Sequence, residues 1–116
     1  MDNENLTYQK NEVKPALLRT LGKKYSCRIL EAASSEPRSV KEFSKQLNIP
    51  KTTLYRRVRD LTECGLLKEE GKLDREGNHH KVYTSNIEKI EIELNQGSLS
   101  TRVKLQDQPD KKLIKI

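Results

Sequence analysis

Hydrophobic residues recur along this chain with two periods, one helical and one alternating. In "NIPKTTLYRRVRDLTECGLL" (residues 48–67), Leu54, Val58 and Leu61 fall at i, i+4 and i+7. That spacing predicts a helix from about Lys51 to Cys64 with one apolar face. Gly65 suits the left-handed residue that closes such a helix, and Leu66 can then fold back on Leu61. Just upstream, Val40, Phe43 and Leu47 mark a shorter amphipathic helix. Ser39 followed by Glu42 is a capping-box pattern, which starts that helix near Val40. Asn48 is suited to end it, and Ile49 and Pro50 fill a short turn. Two further helices are expected before these. One covers residues 15–22, "PALLRTLG", with Pro15 in its first turn and Gly22 as its stop. The other covers residues 23–34, where Ile29, Leu30 and Ala33 share a face and Cys27 lies close to it.

After Gly65 the period becomes two. "LLKEEGKLD" and "HKVYTSN" flank the glycine-centred turn "REGNH" and predict a β-hairpin. A second hairpin follows, in which Ile90, Ile92 and Leu94 alternate with Glu91 and Glu93 ahead of "NQG". Beyond that turn Leu99, Val103 and Leu105 alternate with polar residues. The expected fold class is α+β: a winged helix-turn-helix of about four helices, a β-hairpin wing and a second, C-terminal β-hairpin. The expected divisions are a flexible N-terminus over 1–12, a winged helix-turn-helix domain over 13–86, the C-terminal hairpin over 87–105 and a flexible tail over 106–116.

Composition sharpens this picture through the placement of charge. The 116 residues carry a formal net charge of +6, and 33% are hydrophobic, with no Trp and one Phe. That allows one modest, mainly aliphatic core. Residues 38–60 hold seven cations (Arg38, Lys41, Lys45, Lys51, Arg56, Arg57, Arg59) against Glu42 and Asp60. Residues 61–80 hold three cations against five acids. Nearly the whole positive excess therefore sits in the two helices joined by "NIP". Two short helices so joined form a helix-turn-helix. With Leu54, Val58 and Leu61 turned inward, Thr52, Thr53, Tyr55, Arg56 and Arg57 point outward. Arginine presents a planar fork that matches the two acceptors of guanine and also binds phosphate. Threonine can bond base edges or touch a thymine methyl, and tyrosine offers a hydroxyl to the backbone. The hairpin that follows is placed to act as a wing, with Arg75, His79, His80 and Lys81 near its tip, although Glu69, Glu70, Asp74 and Glu76 oppose them.

"LLRTLGKKYSCRILEAASSEPRSVKEFSKQLNIPKTTLYRRVRDLTECGLLKEEG…KVYTS" resembles the winged-helix core of ArsR-like transcriptional regulators, in particular archaeal ones. The resemblance covers roughly Leu17 to Ser85. It implies double-stranded DNA as partner, with Lys51, Thr52, Thr53, Tyr55, Arg56 and Arg57 as contacts. Metal-sensing members carry paired cysteines in the third helix, where this chain reads "KEFSKQL". Many members end in a dimer-forming helix, where this chain has its second hairpin.

The remaining inventory excludes more than it adds. There are no paired carboxylates at a plausible cleft, no nucleophile with a matched base and no Gly-rich phosphate loop, so an enzyme is not expected. No cofactor and no metal are expected either. His79 and His80 are adjacent on a strand and point to opposite faces, and Cys27 and Cys64 read as structural thiols. No apolar run approaches the ~18 residues of a membrane span, and the cysteine usage fits a cytoplasmic, nucleoid-associated protein. A homodimer is expected, because a lone recognition helix reads only a few base pairs. Its contact residues are sought in the first helix (Leu17, Leu18, Leu21) or in the second hairpin (Ile90, Ile92, Leu94, Leu99, Val103). The other function class left open is a winged-helix module that docks a protein of the transcription machinery and binds nucleic acid weakly. The sequence identifies no operator, target gene or effector.

Overall fold

The computed structural model describes residues 15–106 together with Leu113 and Ile114. The expected flexible N-terminus, residues 1–12, lies outside the described residues. In chain order the elements are α1 (Pro15–Leu21), α2 (Ser26–Ser35), α3 (Val40–Leu47), α4 (Lys51–Glu63), β1 (Leu67–Leu73), β2 (His79–Ser85), β3 (Ile87–Asn95), β4 (Ser98–Leu105) and β5 (Leu113–Ile114). Four helices followed by antiparallel hairpins, with the helix-turn-helix leading into the first of them, make a winged-helix α+β fold.

The chain divides into two compact units. One spans Leu18–Ser85. Its core consists of Ile29, Leu30, Ala32 and Ala33 of α2, Val40 and Phe43 of α3, Leu54, Val58 and Leu61 of α4, and Leu66, Leu67 and Tyr83. Phe43 is fully buried, and truncating a core Phe costs about 3–5 kcal/mol. The capping box on α3 forms as its sequence predicts. Glu42 N–H donates to Ser39 Oγ at 3.1 Å, and Ser39 N–H donates to Glu42 Oε1 at 2.8 Å. Asn48 then closes α3 in the left-handed region, at φ 57°.

α4 ends in a Schellman motif. Leu66 N–H donates to Leu61 O at 2.9 Å and Gly65 N–H to Thr62 O at 3.0 Å, with Gly65 at φ 83°. The paired bonds satisfy terminal carbonyls of the helix and aim the chain into β1. β1 and β2 pair in register from Leu67↔Ser85 to Leu73↔His79. The stem of this hairpin is tied back to the helices. Arg38, between α2 and α3, exchanges two backbone bonds with Tyr83 at 3.0 and 2.8 Å.

The other unit gathers Leu17 and the strands from Asn86 onward. β3 and β4 are joined by Gln96 and Gly97, both at positive φ (53° and 82°). Such a two-residue turn matches the natural twist of a hairpin. Ile90↔Val103, Ile92↔Thr101 and Leu94↔Leu99 are cross-strand pairs on one face. Burial grades along that face. Val103 and Thr101 are buried, whereas Ile92 and Leu94 at the distal end are 50% and 71% exposed.

Four sequence expectations are corrected. α2 starts at Ser26 rather than at residue 23, because Tyr25 sits at φ 80° and interrupts the helical path. Cys27 is exposed rather than close to the core face, because Ser26, Ile29, Leu30, Ala32 and Ala33 form the buried face of α2. Ile49 is not merely turn filler. It is 1% exposed, and its carbonyl accepts a bond from Ser44 Oγ at 3.1 Å. Leu113 and Ile114, expected in a loose tail, form β5 and pair with Lys104 and Val103.

Candidate nucleic-acid interface

α4 presents four distinct aspects, set by its 3.6-residue period. Leu54, Val58 and Leu61 are buried against the core. Thr52, Arg56 and Arg59, spaced by four and three residues, lie opposite and are all exposed. Lys51 is exposed at the N-terminal end, where no side chain caps the helix. The two flanks differ from this outer face and from each other.

Tyr55, 60% exposed, lies on the flank facing the β1–β2 hairpin. It lines a groove of about 620 Å³ that runs between the start of α3 and Lys72, Leu73 and His79 of the hairpin. It also lines a second groove, of about 470 Å³, which Arg56 and Arg59 share with Glu69, Lys81 and Tyr83. On the opposite flank Thr53 and Arg57 are half-buried. Arg57 Nε donates to the carbonyl of Lys24 at 3.0 Å. Arg57 therefore does not stand fully outward as the sequence suggests, since one of its donors fastens α4 to the segment preceding α2.

The structure thus brings Lys51, Thr52, Tyr55 and Arg56 to one exposed surface, with Thr53 and Arg57 at its edge. It adds Arg59, absent from the sequence-derived set. The signal was present in the spacing: Arg59 follows Arg56 by three residues and repeats its face. Asp60 does not cancel this surface outright, because its carboxylate is shared. It lies 3.3 Å from Lys23 Nζ and 3.5 Å from Arg59. Lys51, Arg56 and Arg57 have no ion pair among the described residues.

The hairpin has a different electrostatic character. Arg75 and His79 are exposed at its tip. His80 Nε2 lies 2.8 Å from Asp74 Oδ2. The same Asp74 carboxylate accepts the backbone N–H groups of Glu76 and Asn78 at 2.9 and 2.8 Å. His80, followed by the Asn78 amide, draws the Asp74 carboxyl down from 3.8 to about 2. Lys81 pairs with Glu69 at 3.6 Å. Burial, with the negative charge of Glu69 adding to it, pushes the Tyr83 hydroxyl up. Two of the four expected wing contacts, His80 and Lys81, are therefore already engaged with acids.

Cys27 and Cys64 are free thiols. Cys27 Sγ lies 3.9 Å from Leu21 O, and Cys64 Sγ lies 3.7 Å from Thr20 Oγ1. No group of three or more His, Cys, Asp or Glu side chains among the described residues is placed to hold a metal ion. No helix among them is long and apolar enough to cross a membrane. Of the candidate dimer residues, Leu17 and Val103 are buried within the chain. Leu18, Leu21 and Ile90 are half-buried, and Ile92, Leu94 and Leu99 are exposed.

The fold and this surface define a winged helix-turn-helix. A family model described as a helix-turn-helix domain matches residues 17–70. The matched stretch takes in α2, α3 and α4 and enters β1. It supports a DNA-binding regulator of the helix-turn-helix kind. No curated protein matches the chain significantly.

Proposed function

We propose that the protein is a transcriptional regulator that binds double-stranded DNA sequence-specifically. α4 is the major-groove reader in this reading. The observation that carries it is the exposed face of Thr52, Arg56 and Arg59 opposite a fully buried stripe. Arginine forks on such a face suit guanine, and the threonine suits a thymine methyl or a phosphate. The uncapped first turn of α4, with Lys51 beside it, favours a phosphate. The β1–β2 wing lies over the neighbouring backbone or minor groove and contributes Arg75 and His79. Tyr55 bridges reader and wing. The motifs "LLRTLG" and "KVY" favour the ArsR-like, archaeal branch of such regulators, without the cysteine-based metal sensing. A DNA partner places the protein in the cytoplasm, at the nucleoid.

The reading includes a homodimer, because two reader helices double the length of sequence read. The exposed end of the β3–β4 hairpin, with Ile92, Leu94 and Leu99, is the favoured contact, and Leu18 and Leu21 are the second candidate. Selection of bound fragments from random duplex DNA, followed by titration of the selected site against salt, tests the reading. A steep negative slope of log affinity on log salt and a recovered consensus are expected. Absence of any duplex binding would instead fit a protein-docking module. Sedimentation of the parent and of Ile92→Asp tests the dimer, and a monomeric parent removes it.

A further inference from the structure

The segment that precedes and opens α2 has no role in the interface just described, yet it is built unusually. Tyr25 stands at φ 80°, ψ −12°, a left-handed conformation that a bulky side chain rarely adopts. One tertiary bond and two local ones flank it. Arg57 of α4 bonds the carbonyl of Lys24 at 3.0 Å, Ser26 N–H donates to Lys23 O at 3.2 Å, and Ile29 N–H donates to Tyr25 O at 3.0 Å. Strained conformations kept in this way concentrate at functional positions.

This conformation gathers positive charge. Lys24 Nζ lies 5.1 Å from the centre of the Tyr25 ring, and the Arg28 guanidinium lies 5.9 Å from it. Two cations thus converge on one aromatic ring, with Arg57 bonded to the adjoining backbone. Lys24 and Arg28 are exposed. None of the three cations has an ion pair among the described residues. Like charges held together repel one another, and the ring only partly offsets that repulsion. A multiply acceptor-bearing anion would relieve it. The cluster adjoins the flank of α4 that carries Thr53 and Arg57, the flank away from the wing.

We propose that Lys24, Tyr25 and Arg28, together with Arg57, form a second phosphate-binding element that grips the DNA backbone on the flank of α4 opposite the wing. The proposal rests on the reading of α4 as the DNA-contacting helix. It makes the DNA footprint two-sided, with the reader helix between two backbone contacts. Contacts of this kind fix the register of the reader and carry no sequence information themselves.

The test is fluorescence anisotropy of the full chain on a selected duplex and on an unrelated duplex, across a salt series. In Lys24→Gln/Arg28→Gln, both charges are removed while each glutamine keeps a polar end, and a thermal melt measured alongside accounts for the lost bond from Arg28 Nη2 to Leu47 O at 3.1 Å. This variant is expected to weaken binding to both duplexes alike and to flatten the salt slope by about 2, one unit per lost phosphate contact. Tyr25→Gly places at φ 80° the residue that conformation favours, so it is expected to melt higher than the parent and yet bind DNA several-fold more weakly. Arg56→Ala is the control, expected to relax discrimination between the two duplexes. If the glutamine variant keeps the parental slope while Arg56→Ala loses discrimination, the second element is overturned and the reading of α4 stands. If the parent binds neither duplex, both fall.

Discussion

α4 and the β1–β2 wing each carry four Lys or Arg residues, but they deploy them differently. In α4 the two acids, Asp60 and Glu63, are confined to the last turn, and Lys51, Arg56 and Arg57 make no ion pair among the described residues. In the wing four acids are interleaved with the four cations, and Lys81 and His80 sit against Glu69 and Asp74. A cation already paired with a carboxylate must exchange that partner for a phosphate, and the exchange gains little. One without a partner gains the full interaction and releases a counterion held on the DNA. Under the proposed function, the difference assigns affinity and specificity to α4, and shape and placement to the wing.

The strongest way to break this contrast is at the outer face of α4. Arg56→Ala/Arg59→Ala is expected to lose about 1–3 kcal/mol for each base contact removed. Both side chains are exposed, so the melting temperature should hardly move. DNA affinity measured beside thermal melts decides the matter, and an unimpaired double variant would return the reading function to the wing.

A smaller effect should come from making the wing resemble the helix. Glu69→Gln frees Lys81 from its 3.6 Å partner. Binding should tighten at low salt and the salt slope should steepen by up to about 1. Unchanged binding would mean that Lys81 never reaches DNA. Arg57→Ala sharpens the comparison between the two flanks of α4. It removes the bond to Lys24 O, and the expected loss of folding stability in a denaturant titration is about 1 kcal/mol. Arg56→Ala should show no such loss.

The smallest effect concerns the wing tip and pH. The Asp74 carboxyl is held at about 2 rather than 3.8 by His80 and the Asn78 amide. Because the folded value is depressed, its contribution to the closed tip is complete above about pH 4 and disappears as pH falls through about 2. Amide shifts of Glu76 and Asn78 followed by NMR should report that midpoint. A midpoint near 4 would show that the tip is not closed by Asp74.

Much of the helical part was legible because its signals are local. Ser39 and Glu42 lie three residues apart, Gly65 follows directly on the helix it closes, and Leu54, Val58 and Leu61 repeat within one element. What escaped depends on distant partners. The left-handed Tyr25 is flanked by a bond from Arg57, 32 positions along the chain, and nothing about a tyrosine in "KKYSC" announces that conformation. Ile49 looks like a turn residue until the folded chain buries it. The cluster of Lys24 and Arg28 with Arg57 exists only once α2 and α4 pack together. β5 has two residues, too few for alternation to show. Within the hairpins, alternation placed the strands correctly. It could not tell buried Val103 from exposed Leu94 on the same face, because burial there is graded along the strand.

The two backbone bonds between Arg38 and Tyr83 have an evolutionary corollary. They fasten the base of the wing, whereas the five residues 74–78 close on themselves through the Asp74 carboxylate. Anchorage and tip are thus modular. Doubling the length of a flexible loop costs only about 0.6 kcal/mol, so insertions between Leu73 and His79 would be tolerated by the scaffold. The length of the wing, and with it the reach along a duplex proposed for it, is then a quantity that lineages, or an engineer, can adjust by adding residues at one place, without altering α4.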